Sequence, residues 1–572
     1  MSETWRRSTS GPVLLVKSRD TDDILLSFFL EGKQVNFVRK ANDIADAVIR
    51  RMKLTCSRLL AENDGSISTG RKRKGDKIST DSPDVIIDFI SDEGSAIDAK
   101  QSLHEVLLHS RKFILNDMTY QVAMNPPQPT QVALFHPFLE GCPVFYRVEV
   151  DNGSPSDLVV EFSAGRHVIS DSFSPIADDI GHTLKMSVYN ADYPEFGISC
   201  TSTEPILPLP DVGSFPCCFN VPLEDTTEGT LRIGTFNILA QSYVTTDFAA
   251  NHMYAHVEDE KVLSFGYRNA LIFRELHNFN GDLMLLQEVT PQVIERCIAP
   301  LFSKSFNISY VGKENSQRPN GVSILSRKSI FREILSREIC LGGSSLWSLF
   351  SDSEKNDISA SFGSVFIDGV LPNLSTVASV LVLDSAYGPC IVSSTHLFYH
   401  PYGSHVRLLQ TIALVRIIEA LLVDYPGAQV ILGGDLNSRP STAVVRYIRT
   451  GKIDASDPDW QFGSVFSWGR EDEEEGEGSA PATPNPDCTG ISASHSLNLE
   501  ICNAPELTHA TAGFRATLDY IVISSDGLEV TRDFHDKQLT AEIVDRFGGL
   551  PCPLYGSDHV LVGAEVRYSP SP

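Results

Sequence analysis

The sequence predicts a multidomain protein of the α/β class, whose C-terminal half is an α/β domain built around more than one sheet layer. One observation of size and two of texture carry this. A chain of 572 residues exceeds what a single hydrophobic core organises, so roughly two to four domains are expected. From residue 128 to about 205 the chain reads as all β, short strand-like runs alternating with turn signals. After residue 229 apolar strands alternate with helical stretches, the pattern of sheets covered by helices.

Taken in order, residues 11–127 form a small α+β domain. Two short strands are expected first: Ile24, Leu25, Leu26, Phe28, Phe29 and Leu30 make an apolar run that Val35, Phe37 and Val38 continue. A helix over 44–60 follows, with Ile44, Ala47, Val48, Met52 and Leu59 or Leu60 on one face. Residues 63–83 are rich in Gly, Ser and charge and read as a mobile loop. Arg71-Lys72-Arg73-Lys74 within it reads as solvated loop rather than a nuclear address. Strands resume near 85–89 and 112–124, and Asn125-Pro126-Pro127 closes the domain. Residues 128–210 fit a small β-sandwich of immunoglobulin-like texture, with strands at 144–150, 158–162 and 184–188 and a turn at Asp151-Asn152-Gly153. Pro205, Pro208, Pro210 and Pro216 mark a linker. The third domain spans 225–568. Its strands are expected at 231–239, 283–286, 377–383, 391–394, 429–432, 518–523 and 559–566. Its clearest helix covers 407–424 and stops at Pro426-Gly427.

Composition narrows the function classes. No apolar run approaches the ~18 residues that span a bilayer, so no membrane partner is expected. A net charge of −26 disfavours a surface that coats duplex nucleic acid. A small polyanion remains admissible if local Arg, Lys and a metal offset the field. The eleven cysteines are scattered without a C-x-x-C pair and read as idle thiols of a reducing compartment. The first ten residues, with Arg6, Arg7 and several hydroxyls, weakly resemble a mitochondrial presequence, although Glu3 interrupts it.

Chemistry gathers at the strand ends, where α/β scaffolds place ligand-binding side chains. Asn237 ends Ile233-Gly234-Thr235-Phe236, Glu288 ends Leu283-Met284-Leu285-Leu286-Gln287, and His396 follows Ile391-Val392-Ser393-Ser394-Thr395. Asp435 and Asn437 follow Val430-Ile431-Leu432-Gly433-Gly434, Asp519 stands in Leu518-Asp519-Tyr520-Ile521, and Asp558-His559 open the last strand. Each has a plainer reading. Glu288 alone is the first solvated residue after a strand, Asp435-x-Asn437 a turn, His396 a satisfied core histidine. Together they supply hard oxygen donors, a paired Asp and His, and amides that hold water, which is what magnesium-assisted phosphoryl hydrolysis requires. Zinc is disfavoured, since there is no Cys cluster and no His-x-x-x-His on a helix.

The motifs Phe236-Asn237-Ile238-Leu239-Ala240, Leu286-Gln287-Glu288-Val289, Thr395-His396-Leu397, Gly434-Asp435-Leu436-Asn437-Ser438-Arg439-Pro440, Leu518-Asp519-Tyr520-Ile521 and Ser557-Asp558-His559 follow one another over about 340 residues. In kind and order they resemble the endonuclease/exonuclease/phosphatase superfamily. Asn-Ile-Leu-Ala, and Pro401 five residues after His396, resemble its deadenylase branch. Thr395 to Gly403, followed by Arg407-Leu408-Leu409-Gln410, resembles the mitochondrial 2′,5′-phosphodiesterases within it. The resemblance implies a two-sheet α/β sandwich and a magnesium-dependent phosphodiesterase, with Mn²⁺ as a possible substitute, that releases 5′-AMP from 2′-5′ oligoadenylates and poly(A). It implies that Glu288 binds the metal with support from Asn237, and that Asp435 activates water. Asn437 would contact water or phosphate, Asp558 metal or water, and His396 phosphate, while His559, oriented by Asp519, stabilises phosphoryl charge. Phe514 and Pro401 match the positions that sandwich an adenine, and Arg439 is a further substrate contact. Mitochondrial matrix is the implied compartment, with cytoplasm as the alternative. Two departures stand out: Asn320 occupies a position the family fills with an acid, and Gln241 replaces an Asp after Asn-Ile-Leu-Ala. The acidic run at 471–475 reads as a loop insertion. Hydrolysis of another phosphoester, and a non-catalytic adaptor whose N-terminal domains bind unidentified protein partners, remain the alternatives.

Overall fold

The computed structural model describes residues 11–18, 22–63, 85–211, 213–313, 318–467, 483–502 and 505–569. The N-terminal ten residues, the loop that carries Arg71 to Lys74 and the acidic run at 471–475 lie outside them. One compact unit runs through Leu134 and adds Tyr146–Phe173 and His182–Thr203; the other comprises Phe135–Phe145, Ser174–Gly181 and the chain from Glu204 onward.

In the first unit, alternating apolar residues build a six-stranded sheet in the spatial order Lys33–Lys40, Asp23–Leu30, Val13–Ser18, Met118–Met124, Ser110–Leu115, Ile87–Ser91. The expected pair of strands before the helix is three. Glu31 and Gly32 both adopt positive φ, 49° and 77°, and this two-residue turn matches strand twist closely enough to fold Asp23–Lys40 into a hairpin. Asn116, with φ 52°, does the same between Leu115 and Met118. The helix Ala45–Asn63 lays Ala45, Val48, Met52 and Cys56 against Leu14, Leu26, Phe28 and Phe113. The β-rich stretch contributes a four-stranded sheet, His167–Ile169, Val159–Ser163, Thr183–Tyr189, Ile198–Pro205, and a pairing of Gln128–Phe135 with Phe145–Asp151.

The second unit has two six-stranded sheets. The first runs Phe306–Gly312, Gly321–Arg327, Leu283–Val289, Thr230–Asn237, Val562–Tyr568, Leu528–Arg532. The second runs Arg332–Cys340, Val377–Asp384, Cys390–His396, Gln429–Asp435, Asp519–Ser524, Leu499–Ile501. Ile233, Leu285 and Ile324 from one meet Leu381, Val392 and Ile431 from the other in a shared apolar layer. Helix Phe265–Phe279 covers the outside of the first sheet, and helices Ser404–Asp424 and Ala443–Thr450 cover the second. This is the expected α/β sandwich. Among the described residues, no helix is long and apolar enough to cross a membrane.

Each sheet holds a parallel pair at its centre: Thr230–Asn237 with Leu283–Val289, and Cys390–His396 with Gln429–Asp435. A parallel pair brings both C-terminal ends to one edge, so Asn237 and Glu288 share one edge and His396 and Asp435 another. The last strand begins at Val562 rather than 559, because residues 558–560 bond instead to Thr508 and Ala510.

Candidate active site

The first strand pair delivers an amide and a carboxylate through strained backbone. Glu288 has φ 57° and Leu239 φ 54°, values that cost a non-glycine residue of order 1–3 kcal/mol. The ladder slips between Gln287 and Val289, and this bulge re-aims Glu288 at the sheet end. Glu288 Oε1 accepts from Asn237 Nδ2 at 3.0 Å, and Oε2 accepts from the Ala240 amide at 2.7 Å. The other Asn237 amide hydrogen goes to Asp435 Oδ2 at 3.0 Å, tying the two sheets together. Arg268, buried within helix Phe265–Phe279, holds the turn from beneath by donating to the carbonyls of Ile238, Leu239 and Gly556.

The second pair delivers His396 and Asp435. Gly434 has φ 145°, and a Cβ there would stand 1.9 Å from the Thr395 carbonyl oxygen, so only glycine allows the close approach before Asp435. Asn437, at φ 47°, donates its backbone N–H to Asp435 Oδ1 at 2.9 Å and its side-chain amide to the Leu397 carbonyl at 2.9 Å. Around Asp435 Oδ2 stand His396 Nε2 at 3.5 Å and His559 Nε2 at 3.6 Å. Asp519, opposite Asp435 in the ladder, accepts on Oδ2 from Thr508 Oγ1 at 2.6 Å and lies 2.8 Å from His559 Nδ1. That bond fixes the imidazole and points Nε2 at Asp435. Asp558 Oδ2 accepts from the Tyr254 hydroxyl at 2.9 Å and lies 3.4 Å from His509 Nε2.

These groups are buried and shift one another. Burial, then the Asp519 carboxylate, pushes Asp435 up to about 7. Burial, then Asp558, also raises Glu288. Against burial, Asp519 and Asp435 raise His559 to about 10, so its imidazole carries a proton at neutral pH. Burial would raise Asp558 too, but His509 and His559 hold it well below the usual carboxylate range. Burial, followed by the charges of Lys313 and His559, keeps His396 neutral, far below an ordinary histidine. Lys313 is itself lowered by burial while Glu288 and Asp435 favour its charge.

A buried carboxylate whose pKa a neighbouring carboxylate raises invites a cation. Glu288, Asp435 and Asp558, with the amide oxygens of Asn237 and Asn437, are the hard oxygen set that suits a divalent ion. Two groups among the described residues, His509 with Asp558 and His559, and Asp435 with Asp519 and His559, bring ligand atoms within 4.8 Å of one another. Glu288 belongs to neither; Asn237 links it to the cluster.

The expected substrate contacts occupy separately anchored loops. Phe514 is 40% exposed, with the Arg439 guanidinium 5.3 Å above its ring and the His509 ring 5.4 Å away. Pro401 sits on the loop after Cys390–His396, whose Phe398 and His400 carbonyls accept from the buried Arg407 at 3.1 and 2.6 Å. The two departures have local uses. Asn320 donates to the Tyr243 hydroxyl at 3.0 Å while its Oδ1 finds no partner among the described residues, and Gln241 donates to the Leu263 carbonyl. Sequence reasoning missed His509, Thr508, Tyr254, Arg268 and Lys313. The first three come from segments without strand or motif signals, and Arg268 lies in a helix whose polar residues are buried along with its apolar ones.

The sequence pattern of the Endonuclease/Exonuclease/phosphatase family matches residues 234–559. The chain is similar to 2′,5′-phosphodiesterase 12 of Rattus norvegicus, 27% identical over 497 residues that cover 79% of this chain and 76% of that protein. It is also similar to Carbon catabolite repressor protein 4 homolog 1 of Arabidopsis thaliana, 25% identical with 74% of this chain and 75% of that one covered. A solved structure with similarity is ANGEL2, a 2′,3′-cyclic phosphatase, in complex with adenosine-2′,3′-vanadate. It is 21% identical, with 59% of this chain and 96% of that chain covered at a TM-score of 0.46.

Proposed function

The chain belongs to the endonuclease/exonuclease/phosphatase family, and from that premise we propose that it is a magnesium-dependent phosphodiesterase releasing 5′-AMP from 2′-5′ oligoadenylates and from poly(A) 3′ ends. The observation that carries this reading is the pairing at one carboxylate. Asp435 Oδ2 lies 3.6 Å from His559 Nε2, while His559 Nδ1 is held at 2.8 Å by Asp519. A base and an imidazolium are thus set side by side, as attack on a phosphoryl group requires. The substrate class is supported by likeness to proteins named 2′,5′-phosphodiesterase 12 and CCR4-Not complex 3′-5′-exoribonuclease subunit Ccr4.

In this reading Glu288 and Asp558, with Asn237, Asp435 and Asn437, would hold a divalent ion, which when bound would supply positive charge for phosphoryl chemistry; manganese suits the same donors. Asp435 takes the proton of water as its oxygen bonds to phosphorus. The bond from phosphorus to the 2′ or 3′ oxygen of the preceding ribose breaks, and that oxygen takes a proton from solvent. His559, charged and fixed by Asp519, and neutral His396 donate to the non-bridging oxygens. Asn437 directs the water. Phe514 and Pro401 take the faces of the terminal adenine, a stacking interaction of ~1–3 kcal/mol per base, and Arg439 steadies Phe514.

A substrate panel tests the reading: 2′-5′ oligoadenylate, poly(A), poly(U) and abasic duplex DNA, each with Mg²⁺ or EDTA. AMP release from the adenylates, abolished by EDTA, is expected. No AMP from either adenylate sinks it, and cleavage of abasic DNA alone moves the chain to another substrate within the family.

A further inference from the structure

His509 has no place in the mechanism above, yet it touches both halves of it. Its ring lies 5.4 Å from the half-exposed Phe514 on one side and 4.5 Å from His559, edge-on, on the other. Its Nε2 stands 3.4 Å from Asp558 Oδ2. The backbone enforces this placement, since His509 and His559 face each other as a β-bridge, Ala510 donates to the Asp558 carbonyl, and Val560 donates to the Thr508 carbonyl.

The ring is buried but loosely tethered. Among the described residues His509 Nδ1 finds no hydrogen-bond partner, and the contact at Nε2, 3.4 Å, is longer than the ~2.7–3.2 Å of an ordinary N–H···O bond. The same Asp558 oxygen is held more closely by Tyr254, at 2.9 Å. Packing against Phe514 and His559 therefore decides where the His509 ring sits. A buried imidazole governed by packing responds to whatever presses on its neighbour, because close-packed interiors transmit small displacements.

We propose that His509 is a positioning residue that couples the terminal base to catalysis: a purine stacked on Phe514 sets the His509 ring, which in turn aligns Asp558 and His559. The identity of the base is then read in the rate of the chemical step and not only in binding. This rests on the adenylate reading above and goes beyond it by assigning a residue to base discrimination.

The test uses the full chain with Mg²⁺ and two 2′-5′ oligonucleotides that differ only in the terminal base, adenine or uracil, under saturating single-turnover conditions. His509→Ala should lower the rate on the adenine end about tenfold more than the rate on the uracil end, within the usual range of coupling between sites, and leave the adenine KM within about threefold. His509→Asn, which keeps a donor toward Asp558 without the ring and guards against loss of fold, should show the same loss of discrimination. Phe514→Leu should lose the adenine preference as well, and combining it with His509→Ala should lose no more. Equal losses on both ends, or losses that multiply, overturn the coupling. Should wild-type protein release no AMP at all, the functional reading fails, and adenosine as ligand decides the coupling by itself. Adenosine should move the His559 imidazole resonances of ¹³C-histidine-labelled wild-type protein and not those of His509→Ala; unmoved resonances in wild type overturn it.

Discussion

The six-stranded sheet of the first unit and the paired sheets of the second are made of the same alternating strands, yet they bury different things. The first packs Leu14, Val16, Leu26, Phe28 and Phe113, and among the described residues of its unit the buried polar side chains are uncharged ones such as Ser27, Ser57 and Ser110. The second buries Arg268, Glu288, Asp435, Asp519, Asp558 and His559. Removing an ion from water costs several kcal/mol even after relaxation. A chain that does so repeatedly at the ends of two strand pairs gives up stability there, as a site for chemistry would require, and it does not do so in the first unit.

The largest expected effect breaks the chemistry and leaves the fold. Asp435→Asn or Glu288→Gln should lower kcat by 10³-fold or more, about 4 kcal/mol in the barrier, while thermal unfolding stays level or moves upward because a mutually repelling buried charge is gone. Near-normal turnover in either variant would remove that residue from the site. The opposite trade is expected in the first unit. Phe28→Ala empties a fully buried site and should cost about 3–5 kcal/mol in a urea titration that follows that unit, with kcat unchanged below its transition.

The contrast also explains what was legible beforehand. Strand ends were readable because long apolar runs lead straight into Asn237, Glu288, His396 and Asp435. Helix Ser404–Asp424 was readable from its Leu and Ile spacing and the Pro-Gly stop. Helix Phe265–Phe279 was not, since Arg268, Asn269, Arg274, Glu275 and Asn278 are buried along with its apolar residues, which erases the polar face that periodicity looks for. His509 and Tyr254 stayed hidden because tertiary pairing, and no local pattern, brings them to Asp558. The turn at Glu31-Gly32 escaped notice because the apolar run continues on either side of it.

Glu275 offers a measurable case of a charge the second unit buries away from the carboxylate–histidine cluster at the strand ends. Burial, only partly offset by Arg274 and by the Phe219 N–H at 2.9 Å, raises it from 4.5 to about 7. The folded state therefore holds a proton that the unfolded state gives up at lower pH. Stability from this group is complete below about 4.5, falls as pH rises toward about 7, and is flat above, by about 1.4 kcal/mol per pH unit inside the window. Glu275→Gln mimics the protonated form. Urea denaturation should show the variant and wild type equal near pH 4.5 and the variant increasingly the more stable up to pH 7. Parallel curves would mean that Glu275 stays ionised.

The smallest expected effect decides what Arg439 does at the mouth of the site. Its guanidinium lies 5.3 Å over Phe514, and both side chains are exposed. A cation–π contact at such a position is worth ~0.5–1 kcal/mol. If Arg439 only steadies the stacking ring, Arg439→Ala should lower kcat/KM on adenylates by about two- to fivefold, and Arg439→Lys should recover most of it. The salt dependence of kcat/KM should hardly move. An arginine that instead grips a substrate phosphate would lose more and would flatten the salt slope by about one ion, because each neutralised phosphate contributes separately to it. Measuring kcat/KM for Arg439→Ala at two salt concentrations separates these roles. A flattened slope would transfer Arg439 from the aromatic clamp to the phosphate track, and Phe514 would then have to hold the base without it.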